Sequence, residues 1–285
     1  MGGLIGACLA RSGSPVTMVL RAEALASYPP QLQLESPFGN FSVPVGRSAE
    51  VPACDVLWLT VKATQLEDSL AALKNFEPVK AIVPLLNGID HIPLLRARYG
   101  AERVIPATIA VESERVAPGH IMHRSSFARL NVLSTGRTWL SSTLEQLQKL
   151  GFECRFIDHE PTLMWSKLVF LGPFALTTTA SDKGTGEILS DPHWRDLGMA
   201  CIREACAVAV AQGAQLNAEA VIAGLAKMPG NMRSSMQKDV EQGRTPELDA
   251  IAGPILRGAE RHHIEIPATK SLIAAVEERV NAQKR

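Results

Sequence analysis

The sequence predicts an α/β domain with a doubly wound parallel sheet, followed by an all-α C-terminal domain. In the first half, short apolar runs alternate with helical patterns, which is typical of βαβ units. From Pro161 onward, apolar residues recur at helical spacing to the end. We therefore expect a dinucleotide-binding domain over residues 1–158 and a helical domain over residues 159–285, with the boundary near Asp158–Pro161.

The elements of the first domain follow from its local patterns. Apolar residues such as Leu4, Ile5 and Leu9 share one face of a helix that Gly13 ends. Gly39-Asn40 and Pro118-Gly119 mark the turns of hairpins. The predicted strands are Val16–Leu20, Val56–Val61, Ala81–Leu86, Val104–Val111 and Glu153–Ile157, the hairpins lie in Leu32–Val45 and Val111–Leu133, and the helices are Gly3–Ser12, Ala63–Asn75, His91–Tyr99 and Leu140–Leu150.

Helical periods dominate the second domain, and glycine or proline separates them. The predicted helices are Thr162–Ala180, Trp194–Gln212, Ala218–Lys227, Ser234–Gln242, Glu247–His262 and Lys270–Gln283.

The composition excludes several classes of protein. Lys and Arg number 29, as do Asp and Glu, and this balance argues against a nucleic-acid binder. No apolar run reaches the ~18 residues that a membrane span needs, and no secretory signal is recognisable. The five cysteines are scattered without metal-ligand spacing, and the histidines show none either. We expect a cytoplasmic protein with no metal.

The chain opens with half of a phosphate-binding pattern. Gly3 and Gly6 have the spacing of the second and third glycines of G-x-G-x-x-G, which allow a helix N-terminus to approach a pyrophosphate. A glycine-rich helix start is the alternative. Met1 stands at the first glycine's position and no strand precedes it, so we expect upstream codons to encode a short apolar strand ending in Gly-x.

Arg21 follows the strand Val16–Leu20, where a fold that prefers NAD carries an acidic residue for the ribose. An arginine there can pair with the 2′-phosphate of NADP instead. The alternative is a surface charge. The sequence therefore favours NADP as cofactor.

Several short motifs occur in order along the chain. They are Gly3-Leu4-Ile5-Gly6, Leu59-Thr60-Val61-Lys62-Ala63, Leu86-Asn87-Gly88, Trp165-Ser166-Lys167-Leu168, Ser234-Ser235-Met236-Gln237-Lys238-Asp239 and Gly243-Arg244-Thr245-Pro246-Glu247-Leu248-Asp249. This set resembles the ketopantoate reductase (2-dehydropantoate 2-reductase) family. The resemblance implies a Rossmann domain, a helical domain and an active site in the cleft between them. It also implies NADPH-dependent reduction of ketopantoate, on the route to pantothenate, and a possible homodimer.

The resemblance also implies roles for individual residues. Lys167 matches the catalytic lysine, a general acid for the developing alkoxide, and burial would lower its pKa toward working pH. Glu247 matches a glutamate that accepts a hydrogen bond from the substrate hydroxyl, although it also suits a helix start with Thr245 as N-cap and Pro246 first. The remaining matches are Asn87, Ser235 and Glu204 for substrate, and Lys62 and Asn87 for cofactor. Gln65, three residues beyond Lys62, is also expected to face the cofactor.

The chain departs from the family pattern after Lys167. Leu171 and Ala175 occupy positions where family members carry asparagines, on the same helix face as Lys167. Pro173 is also expected to kink this helix. We therefore expect an apolar pocket that binds ketopantoate poorly and prefers a more apolar 2-oxo acid.

Two other functions remain open at this stage. One is a degenerate family member that binds a dinucleotide without catalysis. The other is a different two-domain reductase, such as a 3-hydroxy acid dehydrogenase, which the Ser234-to-Asp249 block argues against.

Overall fold

The computed structural model describes residues 1–72 and 79–283. The chain divides into two compact units. Unit 1 comprises Met1–Leu86 and His91–Asp158, and unit 2 comprises Asn87–Asp90 and the chain from His159 onward. The second unit therefore takes four residues from within the sequence of the first.

Unit 1 mixes strands and helices in the predicted order. The hairpin at Leu32–Val45 and the helix His91–Tyr99 are confirmed, and the predicted helix from Ala63 extends beyond the described residues. The strands are β1 (Thr17–Val19), β2 (Gln31–Glu35), β3 (Phe41–Pro44), β4 (Gly46–Ser48), β5 (Val56–Leu59), β6 (Ala81–Pro84), β7 (Ala107–Ala110), β8 (Ser113–Ala117), β9 (His120–His123), β10 (Arg129–Leu133) and β11 (Glu153–Ile157). The helices are α1 (Gly2–Arg11), α2 (Ala22–Leu25), α3 (Leu66–Ala72), α4 (His91–Tyr99) and α5 (Arg137–Lys149).

Within the described residues, the strands of unit 1 form four sheets. Two of these sheets are parallel pairs, β1 with β4 and β5 with β6. The third sheet has the strand order β11-β10-β7, and the fourth has the order β3-β2-β9-β8. The α/β class is confirmed, but an entirely parallel arrangement is wrong, since β7 runs antiparallel to β10. A hairpin rather than a crossover helix lies between these two strands, and a crossover is what parallel neighbours require.

Helix α1 packs its apolar side onto the strands of unit 1. Leu4 and Ile5 are buried, and so are Leu32 and Leu34, whose glutamine neighbours in β2 face outward. This alternation is the pattern of a sheet with one buried face. The five cysteines of the chain are free thiols, and all except the half-buried Cys54 are buried.

Unit 2 is helical. Its helices are α6 (Glu160–Ser181), α7 (Thr185–Ser190), α8 (Pro192–Ala211), α9 (Ala218–Leu225), α10 (Ser235–Glu241), α11 (Leu248–His262) and α12 (Pro267–Gln283). Helix α7 was not predicted from the sequence. Within the described ranges, no helix has the length and apolar character needed to cross a bilayer.

Helix α6 is the centre of unit 2 because apolar residues surround most of its circumference. Val169 and Leu176 are fully buried among residues of α8, α11 and α12. Pro173 lies inside this helix, which nevertheless runs without a break for 22 residues. The proline removes one backbone donor, and close packing by neighbouring helices holds the turn.

Candidate active site

Lys167 lies in the second turn of α6 between buried neighbours, among them Trp165 and Leu168. Its side chain is half-buried, and its Nζ donates a hydrogen bond to Oδ1 of Asn87 at 3.0 Å. Burial lowers the pKa of Lys167 to about 8, while the negative charge of Glu247 acts in the opposite direction. The amine is therefore largely protonated at neutral pH but close to its titration point.

Asn87 connects this amine to a buried carboxylate. Its Nδ2 donates to Oε2 of Glu247 at 2.9 Å, and Glu247 is only 7% exposed. The amide orientation is fixed, because its oxygen must face the ammonium and its nitrogen must face the carboxylate. Lys167, Asn87 and Glu247 thus form a hydrogen-bonded chain within unit 2, which we call the Lys–Asn–Glu chain.

Glu247 reaches this position because α11 begins later than the sequence predicts. The helix starts at Leu248, Glu247 is its N-cap residue, and the Glu247 side chain does not cap the helix. The predicted N-cap at Thr245 is therefore wrong. The Glu247 carboxylate accepts a hydrogen bond from the Asn87 side chain instead.

The turn after Asn87 requires glycine. Gly88 has φ +82°, a conformation that side chains disfavour. A Cβ on Gly88 would also lie 2.2 Å from the carbonyl oxygen of Ala250 in α11. The backbone of the Asn87–Asp90 segment therefore lies directly on α11.

The other two residues assigned to substrate lie elsewhere in unit 2. Ser235 is exposed at the first turn of α10, whose cap is the buried Ser234. Both carboxylate oxygens of Glu204 accept hydrogen bonds at the start of α12, from the backbone of Ala268 and from the backbone and hydroxyl of Thr269, at 2.7 to 2.8 Å. Glu204 thus stabilises a helix terminus.

Leu171 and Ala175 differ in their surroundings. Ala175 is fully buried with Met236 and Ile251, whereas Leu171 is half-buried at the edge of the same cluster. Of the two positions, only Leu171 therefore offers surface to a ligand.

The glycines at the start of unit 1 allow close packing. A Cβ on Gly3 would lie 2.6 Å from the side chain of Ile121, and one on Gly6 would lie 3.2 Å from the sulfur of Met18. They bring α1 close to strands β9 and β1, as the third glycine of the dinucleotide pattern does.

Three further residues assigned to the cofactor follow strands in unit 1. Arg21 is exposed just after β1, and Lys62 is half-buried after β5. Gln65 is exposed in the short 3₁₀ helix that Lys62 precedes. Ligands of open α/β sheets bind at the carboxyl ends of strands, which is where Arg21 and Lys62 lie.

Sequence reasoning missed an ion pair between the Asn87–Asp90 segment and α11. Arg257 of α11 donates to Asp90, with Nε at 3.1 Å from Oδ2, and to Asp249 at 2.8 Å. Residues 90 and 257 are too far apart in sequence for any local pattern to connect them. Within residues 1–72 and 79–283, no group of three or more His, Cys, Asp or Glu side chains is arranged to hold a metal ion.

Comparison with protein families decides the affiliation. Residues 1–133 match the model described as "Ketopantoate reductase PanE/ApbA", and residues 162–280 match "Ketopantoate reductase PanE/ApbA C terminal". The chain belongs to the ketopantoate reductase family. The resemblance drawn from the motifs is confirmed, and the chain is an oxidoreductase of this family.

Individual relatives of this ketopantoate reductase family member cover almost the whole chain. The 2-dehydropantoate 2-reductase of Caulobacter vibrioides is 28% identical over 96% of this chain and 94% of its own. The crystal structure of 2-dehydropantoate 2-reductase from Geobacter metallireducens GS-15 is similar with a TM-score of 0.84 and 27% identity, over 97% of this chain and 96% of that one. D-mandelate dehydrogenase with NADH and anilino(oxo)acetate shares the fold, with a TM-score of 0.85 and 19% identity, over 100% of this chain and 97% of its own.

Proposed function

We propose that this protein reduces a 2-keto acid to the 2-hydroxy acid with NADPH, and that Lys167 is the general acid. The observation that carries the proposal is the Lys–Asn–Glu chain, which holds a partly desolvated ammonium with a pKa of about 8. A general acid works best when its pKa lies near the operating pH. Family membership supports the oxidoreductase chemistry and a nicotinamide dinucleotide as cofactor.

The reduction needs one hydride and one proton. A dihydronicotinamide held by the unit 1 groups described below would supply the hydride, with its electron pair, to C2 of the substrate. The carbonyl oxygen gains the electrons of the C=O π bond and takes a proton from Nζ of Lys167. Asn87 Oδ1 accepts another N–H of the same amine and thereby directs the remaining protons. Solvent reprotonates the neutral amine after the alcohol leaves.

Unit 1 contains the groups that fit the cofactor. The N-terminal turn of α1, Arg21 and Lys62 are all suited to an anionic dinucleotide. The exposed guanidinium of Arg21 is the group that would bind the 2′-phosphate of NADP and so distinguish it from NAD.

Cofactor preference is tested by comparing kcat/KM for NADPH and NADH. We expect a preference for NADPH in the wild type and its loss, by about tenfold or more, in Arg21→Gln, since a charge-assisted bond to phosphate contributes about 1.5–3 kcal/mol. Arg11→Gln is the matched control, because Arg11 is also an exposed arginine and lies at the C-terminal end of α1, away from the turn assigned to the phosphates. An unchanged ratio in Arg21→Gln would remove this residue from the proposal.

We further propose that the preferred substrate is a 2-oxo acid with an apolar substituent, because Leu171 offers no hydrogen bond to a polar one. The ternary structure of D-mandelate dehydrogenase with NADH and anilino(oxo)acetate, which shares the fold, supports this proposal. Steady-state assays with NADPH should give a higher kcat/KM for an aromatic or branched 2-oxo acid than for ketopantoate. Leu171→Asn should reduce the difference in kcat/KM between the two substrates. A wild-type kcat/KM for ketopantoate of ~10⁴ M⁻¹s⁻¹ or more would contradict the proposed preference.

The non-catalytic alternative makes a different prediction. A dinucleotide-binding protein without activity would be stabilised by NADPH in a thermal shift assay, by ~2–3 kcal/mol at a hundredfold excess over Kd. It would show no turnover with any 2-oxo acid. Turnover that Lys167→Met abolishes excludes this alternative.

A further inference from the structure

The Asn87–Asp90 segment contacts α11 at three successive points. Asn87 bonds to Glu247 at the start of the helix, and Gly88 lies against the backbone of Ala250. Asp90 then accepts hydrogen bonds from Arg257, which lies almost three turns after Glu247 on the helix. The first contact belongs to the proposed active site, whereas the last has no role in the chemistry described above.

Arg257 is itself held in place. Its Nε and Nη2 both donate to Oδ2 of Asp90, and its Nη1 donates to Oδ1 of Asp249 at 2.8 Å. Asp249 lies two turns earlier on the same helix, so the planar guanidinium is fixed at two sides. A lysine has no such fork and could not hold both carboxylates in one geometry.

We propose that Asp90 and Arg257 are positioning residues for the reduction, because their ion pair holds the Asn87–Asp90 segment on α11 and so keeps the Asn87 amide between Lys167 and Glu247. This inference rests on the proposed function. All the contacts it uses lie within unit 2.

The Asn87 amide is sensitive to small displacements. If it rotates, its NH₂ group faces the ammonium, and two donors then oppose each other. If it moves away, Glu247 can approach Lys167 directly and water can reach the amine. The second change stabilises the charged amine and raises its pKa. A proton donor with a higher pKa and a displaced partner transfers its proton less well, and misplacement by about 1 Å costs up to ~10²-fold in rate.

The same ion pair contributes little to overall stability. Arg257 and Asp90 are about half-exposed, with 48% and 51% of the side-chain surface accessible, and pairs of this kind stabilise proteins weakly. A positioning role therefore differs from a structural one in its signature. Loss of the pair should change kcat and the pH profile while the melting temperature stays nearly constant.

The test compares Asp90→Asn, Arg257→Met, Arg257→Lys and the double variant Asp90→Asn/Arg257→Met with wild type. Glu219→Gln is the matched control, since it removes a similarly exposed ion pair, with Arg203, elsewhere in unit 2. We expect kcat to fall several-fold, by up to about fivefold, in both neutralising variants, with the cofactor KM unchanged. The double variant should be no worse than either single variant, because both remove the same interaction. Arg257→Lys should recover part of the loss, and Glu219→Gln should remain within about twofold of wild type.

A second measurement does not depend on turnover. The reactivity of the Lys167 amine toward acetic anhydride, followed against pH by peptide mass spectrometry, gives its pKa directly. We expect a value near 8 in wild type and Glu219→Gln, and a higher value in Asp90→Asn. If wild type has no reductase activity but the amine still shifts, the proposed function fails and the positioning role stands. An Asp90→Asn variant with a wild-type amine pKa, or with wild-type kcat in an active enzyme, overturns the inference.

Discussion

At the scale of single residues, the important feature is that an amide separates the Lys167 amine from the Glu247 carboxylate. Direct contact between the two charges would form an ion pair and hold the proton on the amine. With Asn87 between them, the carboxylate acts at a distance, and burial dominates the pKa. The arrangement therefore keeps the amine protonated at neutral pH while allowing it to release a proton.

Replacement of Lys167 by methionine tests this role directly. We expect kcat for 2-oxo acid reduction to fall by ~10²–10⁴-fold, the range attributed to a positioned general acid. The exposed Lys270 provides the control, and Lys270→Met should retain wild-type kcat. Comparable activity in the two variants would contradict the assignment.

The pH dependence of reduction should show the titration of the same amine. Because the protonated amine is the active form, kcat should fall as pH rises through about 8. The charge of Glu247 raises the pKa of Lys167, so Glu247→Gln should move the descending limb of the pH–kcat profile to lower pH. Glu260 lies on the same helix and is exposed, and Glu260→Gln should leave the limb in place. A shift of this limb to higher pH in Glu247→Gln would contradict the proposed effect of the Glu247 charge on the pKa of Lys167.

At the scale of elements, the Asn87–Asp90 segment packs along one face of α11. Residues 250 and 257 lie three and ten positions after residue 247, and both offsets are close to whole numbers of helical turns. They therefore share one face of the helix. Gly88 makes this contact possible, because only a residue without a Cβ fits against Ala250.

Substitution of Gly88 by alanine separates backbone strain from steric overlap. Gly213 has a similar φ of +89°, and a Cβ at that position would meet no atom within 4 Å, so Gly213→Ala introduces strain alone. We expect Gly213→Ala to cost about 1–2 kcal/mol of stability and to leave kcat unchanged. Gly88→Ala should cost more and should lower kcat, since Asn87 must move with the segment. Equal effects of the two substitutions on kcat and on melting temperature would show that the contact with Ala250 is unimportant.

The elements that could be predicted from sequence have strong local patterns. Helix α4 and strand β11 have the predicted bounds, and the Leu32–Val45 hairpin forms around its Gly39-Asn40 turn. Helix α7 was missed because it has only six residues; its signal was the Gly184 start with Glu187 three positions later. Strand β4 was missed because three residues carry almost no periodicity.

Part of the candidate site could be predicted, and part could not. Lys167, Asn87 and Glu247 were identified by resemblance, and the structure brings their side chains together. The hydrogen bonds of Glu204 with the start of α12, 64 residues later, could not be predicted, because a carboxylate in a helix does not reveal which distant backbone groups will donate to it. The pairing of Asp90 with Arg257 likewise depends on tertiary structure alone.

At the scale of the whole molecule, the buried amine couples activity to stability. The pKa of Lys167 is about 8 in the folded chain, below its ordinary value of 10.5. Between these values the unfolded chain binds the additional proton, so the free energy of unfolding rises with pH across this window. Below about pH 8 the penalty for holding the charged amine, on the order of 3 kcal/mol, is fully present.

This coupling predicts the melting behaviour of Lys167→Met. At pH 7 the variant should melt at a higher temperature than wild type, because the penalty for the buried charge exceeds the value of one hydrogen bond to Asn87. The difference should shrink as pH rises from about 8 to about 10. Calorimetry over this range provides the measurement, and a difference in melting temperature that does not change with pH would argue against a desolvated amine.

The discontinuity of unit 2 has a practical consequence for anyone who wishes to express its parts separately. A gene fragment ending at Asp158 would keep Asn87–Asp90 but lose the helix on which they lie, and a fragment beginning at His159 would leave the ammonium of Lys167 without its amide neighbour. No single cut in the coding sequence yields either unit intact. A helical fragment would need the tetrapeptide grafted back, for instance through a short linker to the start of α11.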